Sequence, residues 1–198
     1  MEVFQIIPPL QTYDTGKLEI ESYYSQNNIG NPEIISFNNC EEGVGQVMSQ
    51  GDSMELLFIS MKNDGKINQM QLDFLLTINS ILLNAKSVNN VAESLFQLEQ
   101  EIEANGTLSF NEKAMVFGAS IVGRNSSYYW YDANTDPSSP WQELPIPVQG
   151  KAKWWVRGLR DLAGFVVGYA VGSLISLGNP IVGTAAGTLV GTAASAAD

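Results

Sequence analysis

Residues 162–197 run LAGFVVGYAVGSLISLGNPIVGTAAGTLVGTAASAA, thirty-six positions without a charge. Small residues recur in this stretch at every fourth position. One ladder is Gly164, Gly168, Gly172 and Ser176. A second, Gly183, Gly187, Gly191 and Ser195, repeats it nineteen residues later. Between them Leu177, Gly178, Asn179 and Pro180 form a turn signal. Residues four apart share one face of a helix, so each ladder makes a groove that another backbone can approach. Glycine inside a helix costs roughly 1 kcal/mol relative to alanine. Six of them on two helices require a return from close packing. The expectation is a helical hairpin whose helices meet through these eight helix-packing residues.

Length decides how such a hairpin relates to a bilayer. Residues 162–177 make a helix of about 24 Å and residues 181–197 one of about 26 Å, against a hydrocarbon core of about 30 Å. Each helix is therefore short for a conventional span. The segment just before them carries Lys151, Lys153, Trp154, Trp155, Arg157 and Arg160. Cations flanking an apolar helix and aromatic rings at its end suit the membrane–water boundary, so these six are the expected membrane-interface residues.

On these residues, 151–198 resembles the glycine-zipper, or GxxxG, hairpins of membrane-active bacterial polypeptides, including bacteriocin peptides. The resemblance implies membrane insertion or permeabilisation through association of helices. The functional expectation is a membrane-active, pore-forming or membrane-inserting, toxin-like bacterial effector. The alternative is a soluble helical interaction or structural protein whose hairpin packs in its own core or drives homo-oligomerisation. Expected partners are membrane lipid or a second copy of the chain.

The rest of the chain reads as a helical head. Residues 1–52 are rich in turn signals, with short strand-like patterns at 3–7 and 17–21. From Ser53 onward apolar residues recur at helical spacing: Met54, Leu57, Phe58 and Met61, then Ile67 to Leu83, then Val88, Val91, Leu95, Leu98 and Ile102. Ser87 is placed to cap the third of these helices. Ser109 with Glu112 is a capping-box pair opening a fourth, which is expected to fade after Arg124. Residues 125–150, with Tyr128, Tyr129, Trp130, Tyr131 and four prolines, read as an aromatic, proline-rich linker. The predicted fold is thus mainly α. Its parts are a loop-rich segment with short strands (1–52), a small helical bundle (53–124), the linker (125–150) and the Gly-rich hairpin (151–198).

Charge and composition exclude several function classes. Residues 1–149 hold six Lys/Arg against nineteen Asp/Glu, a net of −13, whereas 150–198 hold four against two, a net of +2. An acidic head repels phosphate backbones, so no nucleic-acid partner is expected. The chain has no histidine, which removes the usual general base and the commonest metal ligand. No nucleophile–base constellation is left, and neither enzymatic activity nor a cofactor is expected. Cys40 is the one cysteine and has no thiol to pair with inside the chain. Two loops, 60–71 and 101–112, resemble the calcium loop of the EF-hand in their glycine and aliphatic positions. Their poor acidic ligand sets favour the plainer reading, two helix–turn–helix connections. The start, MEVFQIIPPLQ, lacks the basic region and long apolar run of a signal peptide. The expectation is a cytoplasmic protein, or one exported by a non-classical route and possibly membrane-associated.

Overall fold

The computed structural model describes residues 53–136 and 153–175 without a break, together with 43, 45–47, 49, 50, 138, 187, 188, 190 and 191. At 134 and 171–175 only the backbone is described. The strand-like patterns at 3–7 and 17–21, Cys40, most of the proline-rich linker, Lys151, the turn at 177–180, Ser176, Gly183 and Ser195 lie outside the described residues.

Among the described residues the chain is mainly helical and contains no strand. The helices are α1 (Glu55–Asn63), α2 (Gln69–Leu83), α3 (Val88–Ala104), α4 (Phe110–Thr135) and α5 (Trp154–Ile175). Local chemistry sets their boundaries. α1 stops before Gly65, whose φ of 72° suits a residue without a Cβ. Asn68 opens α2 by accepting the Gln71 amide while the Gln71 side chain accepts the Asn68 amide. Ser87 caps α3 by accepting from the Asn90 amide. Ser109 and Glu112 form the expected reciprocal box at the start of α4. The start of α1 has no cap of its own. Instead the buried Asn79 of α2 accepts the Met54 amide at 3.0 Å.

The fourth helix corrects the sequence reading. It does not fade after Arg124 but runs on to Thr135, so residues 125–135 of the expected linker are helix. Tyr, Trp and Asn are only moderately poor helix formers, and no proline occurs between Pro32 and Pro137. Burial settles the matter, since Trp130 and Ala133 are both enclosed. Asp136 then takes an extended conformation, as the residue before a proline prefers.

The two loops likened to calcium sites are explained by the same capping chemistry. In the second, Asn105 Oδ1 accepts the amides of Thr107 and Leu108. The Glu112 carboxylate accepts the Ser109 amide at 2.7 Å and the Asn68 side-chain amide at 2.7 Å. That carboxylate ties the α2 and α4 N-termini together. Among the described residues no three His, Cys, Asp or Glu side chains converge as a metal site would need. Its hydrogen bonds, first those from Ser109, hold Glu112 below its ordinary value of 4.5. The stability it contributes is therefore present at neutral pH. It is lost as pH falls from about 4.5 through the lower folded value. Glu112→Gln should lower the melting temperature at pH 7 by a small amount, and the gap to the parent chain should close in acid. A gap that persists at pH 3 would show that the charge is not what matters.

The core joins all five helices. Met54, Leu57, Phe58 and Met61 meet Leu75, Ile78 and Leu82 of α2, Leu95, Leu98 and Ile102 of α3, and Met115, Val116 and Ala119 of α4. α5 belongs to the same core through Leu159, Leu162, Ala163, Phe165, Val166, Val167, Tyr169 and Ala170. It is enclosed on all sides, being buried at 156–159 and 161–170. A buried polar tie joins α3 and α4. Arg124 donates to both oxygens of Glu99 at 3.1 and 3.2 Å, and the Ser120 hydroxyl donates to the same carboxylate. Glu99 sits on the apolar stripe of α3, four residues after Leu95 and three before Ile102, and is 5% exposed. A charge at such a depth is tolerated only when its lone pairs are met, as they are here.

Candidate functional site

α5 lies antiparallel along α4. Gly158 meets Ser127, Leu162 meets Gly123, Phe165 meets Gly118, and the Tyr169 hydroxyl donates to the Asn111 carbonyl at 3.3 Å. Small residues set this register. A methyl group added at Gly118 would lie 2.5 Å from Cζ of Phe165, so the glycine is the socket for that ring. One added at Gly158 would lie 3.0 Å from the Ser127 hydroxyl. That hydroxyl is itself bonded to the Gly123 carbonyl at 2.6 Å.

A second face of α5 approaches residues 187–191, which are helical where described. A methyl group at Gly164 would sit 2.4 Å from Cα and 2.5 Å from N of Gly191. One at Gly191 would sit 2.5 Å from the Asp161 carbonyl oxygen, and one at Gly187 would sit 2.5 Å from that of Phe165. Here backbone touches backbone, with no side chain between to give way. Gly158 and Gly164 are six residues apart, about 120° around the helix, so α5 uses separate small-residue faces for α4 and for 187–191. Of the eight ladder residues, the structure thus brings Gly164, Gly187 and Gly191 together and buries Gly168. Gly172 lies within α5.

The collar residues are arranged differently from a lipid-facing belt. Lys153 is exposed and sits 4.8 Å from the Trp155 ring centre. Trp154 and Trp155 are half-buried, edge to face with each other at 5.5 Å, and Trp154 meets Tyr131 of α4 at 6.1 Å. Arg160 is half-buried. Arg157, expected at a headgroup layer, is 3% exposed, with its guanidinium 4.4 Å from the centre of the Trp130 ring. The physical reason is the extension of α4, which brings an aromatic face to cover the cation.

Trp130 also donates its indole N–H to Asp161 Oδ2 at 2.8 Å. Asp161 is one helical turn beyond Arg157, so an indole, a guanidinium and a carboxylate form one buried cluster between α4 and α5. Burial pulls the Arg157 guanidinium below its ordinary range, while Asp161 and then Tyr129 pull it back up. Arginine keeps its charge in such a setting, so the cluster holds a cation inside the protein. Sequence reasoning missed Asp161, Gly118 and Gly158 as packing residues, and placed Trp130 in a linker rather than on a helix. Asp161 carried a signal, being an acid four residues after Arg157 at the mouth of an apolar helix. Gly118 carried none, because a lone glycine has no period.

The site carries no arrangement of nucleophile and base among the described residues. What it offers is an apolar helix packed inside a bundle through small-residue contacts on two faces and one charged aromatic cluster. Among the described residues no helix is long and apolar enough to cross a membrane. No protein-family model, curated protein or solved structure matches this chain.

Proposed function

We propose that the chain is a membrane-active, toxin-like protein whose Gly-rich hairpin is stored in the core of a helical bundle and acts once it leaves. The observation that carries this reading is α5 itself. It is apolar through most of its length, enclosed on all sides, and bears Lys153, Trp154, Trp155 and Arg157 at its N-terminal end. In the bundle Trp154 packs on Tyr131 and Arg157 on Trp130 of α4, while Lys153 is exposed beside Trp155. On release they would meet headgroups and water, and the small-residue faces now spent on α4 and on 187–191 would be open to other copies of the helix. Association of several copies answers the shortness of each helix, because a short apolar segment is accommodated by thinning the bilayer and by oligomerising.

Dye release from vesicles containing anionic lipid tests the reading. The full chain should release dye in proportion to anionic content, and Gly168→Leu should abolish release by blocking helix association. Vesicles that stay sealed at micromolar protein count against it.

A second reading has its own support. α5 supplies so much of the core that the hairpin can be explained as the completion of a helical interaction module. On that reading vesicles stay sealed and the chain's activity lies in an exposed surface.

A further inference from the structure

We infer that the Trp130–Arg157–Asp161 cluster is an autoinhibitory contact that holds α5 in the bundle. The inference rests on the membrane-active reading and adds how the stored helix is restrained. Three observations point to it. The cluster lies wholly between α4 and α5, the pair whose separation would free the hairpin. Its members are buried, Trp130 at 4%, Arg157 at 3% and Asp161 at 8% exposed. And α4 contributes Trp130 to both charged members of α5, its ring face lying 4.4 Å from the Arg157 guanidinium and its indole N–H donating to Asp161 at 2.8 Å, contacts that exist only while α4 is in place.

Those contacts make bundle and lipid compete for one set of groups. A guanidinium in the bundle is met by an indole face and a carboxylate. A guanidinium at a bilayer surface is met by phosphate and water. Arg157 cannot lie under Trp130 and at a bilayer surface together, so its contact with α4 is given up when it meets lipid. Loss of Trp130 on the α4 side weakens only the stored form, because Trp130 is not part of the hairpin. The Ser127–Gly158 approach beside the cluster lies on the same seam and sets the spacing at which a cross-link can lock it.

Two variants of the full chain test the contact. Trp130→Phe keeps a ring over Arg157 and removes the N–H that Asp161 accepts. Removing one hydrogen bond to a charged group should open the seam roughly tenfold more often. Ser127→Cys with Gly158→Cys, in a Cys40→Ser background, places two thiols where a disulfide fits. Hydrogen exchange is measured first, without lipid. Trp130→Phe should speed exchange of α5 amides roughly tenfold while α3 amides keep their rates, and the oxidised double variant should slow them. An equal acceleration everywhere, or none in α5, overturns the inference. Dye release from vesicles of phosphatidylglycerol and phosphatidylcholine is measured second. Trp130→Phe should raise the rate by the same factor, and the oxidised double variant should be silent until reductant is added. Release that occurs but ignores both variants also overturns the inference. If no form of the chain releases dye, the membrane-active reading has failed and the exchange rates alone decide on the contact.

Discussion

A chain ending at Gly150 loses its cooperative thermal transition. α5 contributes six large apolar side chains to the core, Leu159, Leu162, Phe165, Val166, Val167 and Tyr169. Burying each stabilises by roughly 1.5–3 kcal/mol, so their removal takes away about 9–18 kcal/mol as an upper bound. A domain of this kind is stable by about 5–15 kcal/mol in all. The truncated head should therefore keep helical signal in circular dichroism, bind hydrophobic dye, and melt without a sharp midpoint. Trp130 would lose its Arg157 and Asp161 neighbours, and its emission should shift to the red. A sharp transition within a few degrees of the parent's would show instead that residues 53–136 form a complete unit and that α5 is an appendage.

Gly164→Ala should be the most damaging methyl group that can be added to α5. In most helices that exchange stabilises, by roughly 1 kcal/mol, because alanine is the better helix former. Here the methyl would arrive 2.4 Å from the Cα of Gly191 and 2.8 Å from the carbonyl carbon of Val190. Both are backbone atoms, which cannot rotate away as a side chain can. The helices must separate, and overpacking of this kind costs about 1–3 kcal/mol or more. For a chain of this length that is a fall of about 2–12 °C in melting temperature. Gly118→Ala makes the instructive comparison, since its added methyl meets the far end of the Phe165 ring, which can tilt. The larger loss is expected at Gly164. If Gly164→Ala is neutral or stabilising, the backbone contact with Gly191 does not exist in solution.

How much of this was legible in the sequence follows from the range of the forces involved. The caps at Ser87 and Ser109 were readable, because each is settled within three residues of chain; the box at Asn68 and Gln71 is as local but was not read. The apolar spacing of α1, α2 and α3 was readable for the same reason. The extent of α4 was not. Its last three turns are held by Trp130 and Tyr131 against α5, and nothing near Tyr128 announces that a partner arrives some thirty residues later. Arg157 shows the same limit from the other side. A cation beside two tryptophans fits the edge of a bilayer by local rule, and only the position of Trp130 on another helix turns it inward. The ladders told that some backbone would come close, and the structure places Gly191 against Gly164. They could not tell that α5 spends another face on α4, because Gly118, Gly158 and Ser127 follow no common spacing.

The antiparallel seam between α4 and α5 also fixes an order of events during synthesis. Contacts such as Tyr169 with Asn111 span fifty-eight residues. The core of α1 to α4 therefore stays open until α5 has been made. At roughly 5–20 residues per second, the forty residues from the end of α4 to the end of α5 take about 2–8 s. During that interval Leu75, Leu82, Met115 and Ala119 lack part of their cover. The nascent chain is then a client for whatever binds exposed apolar surface, and its yield in a cell should depend on translation speed across 136–175 as much as on the stability of the finished fold.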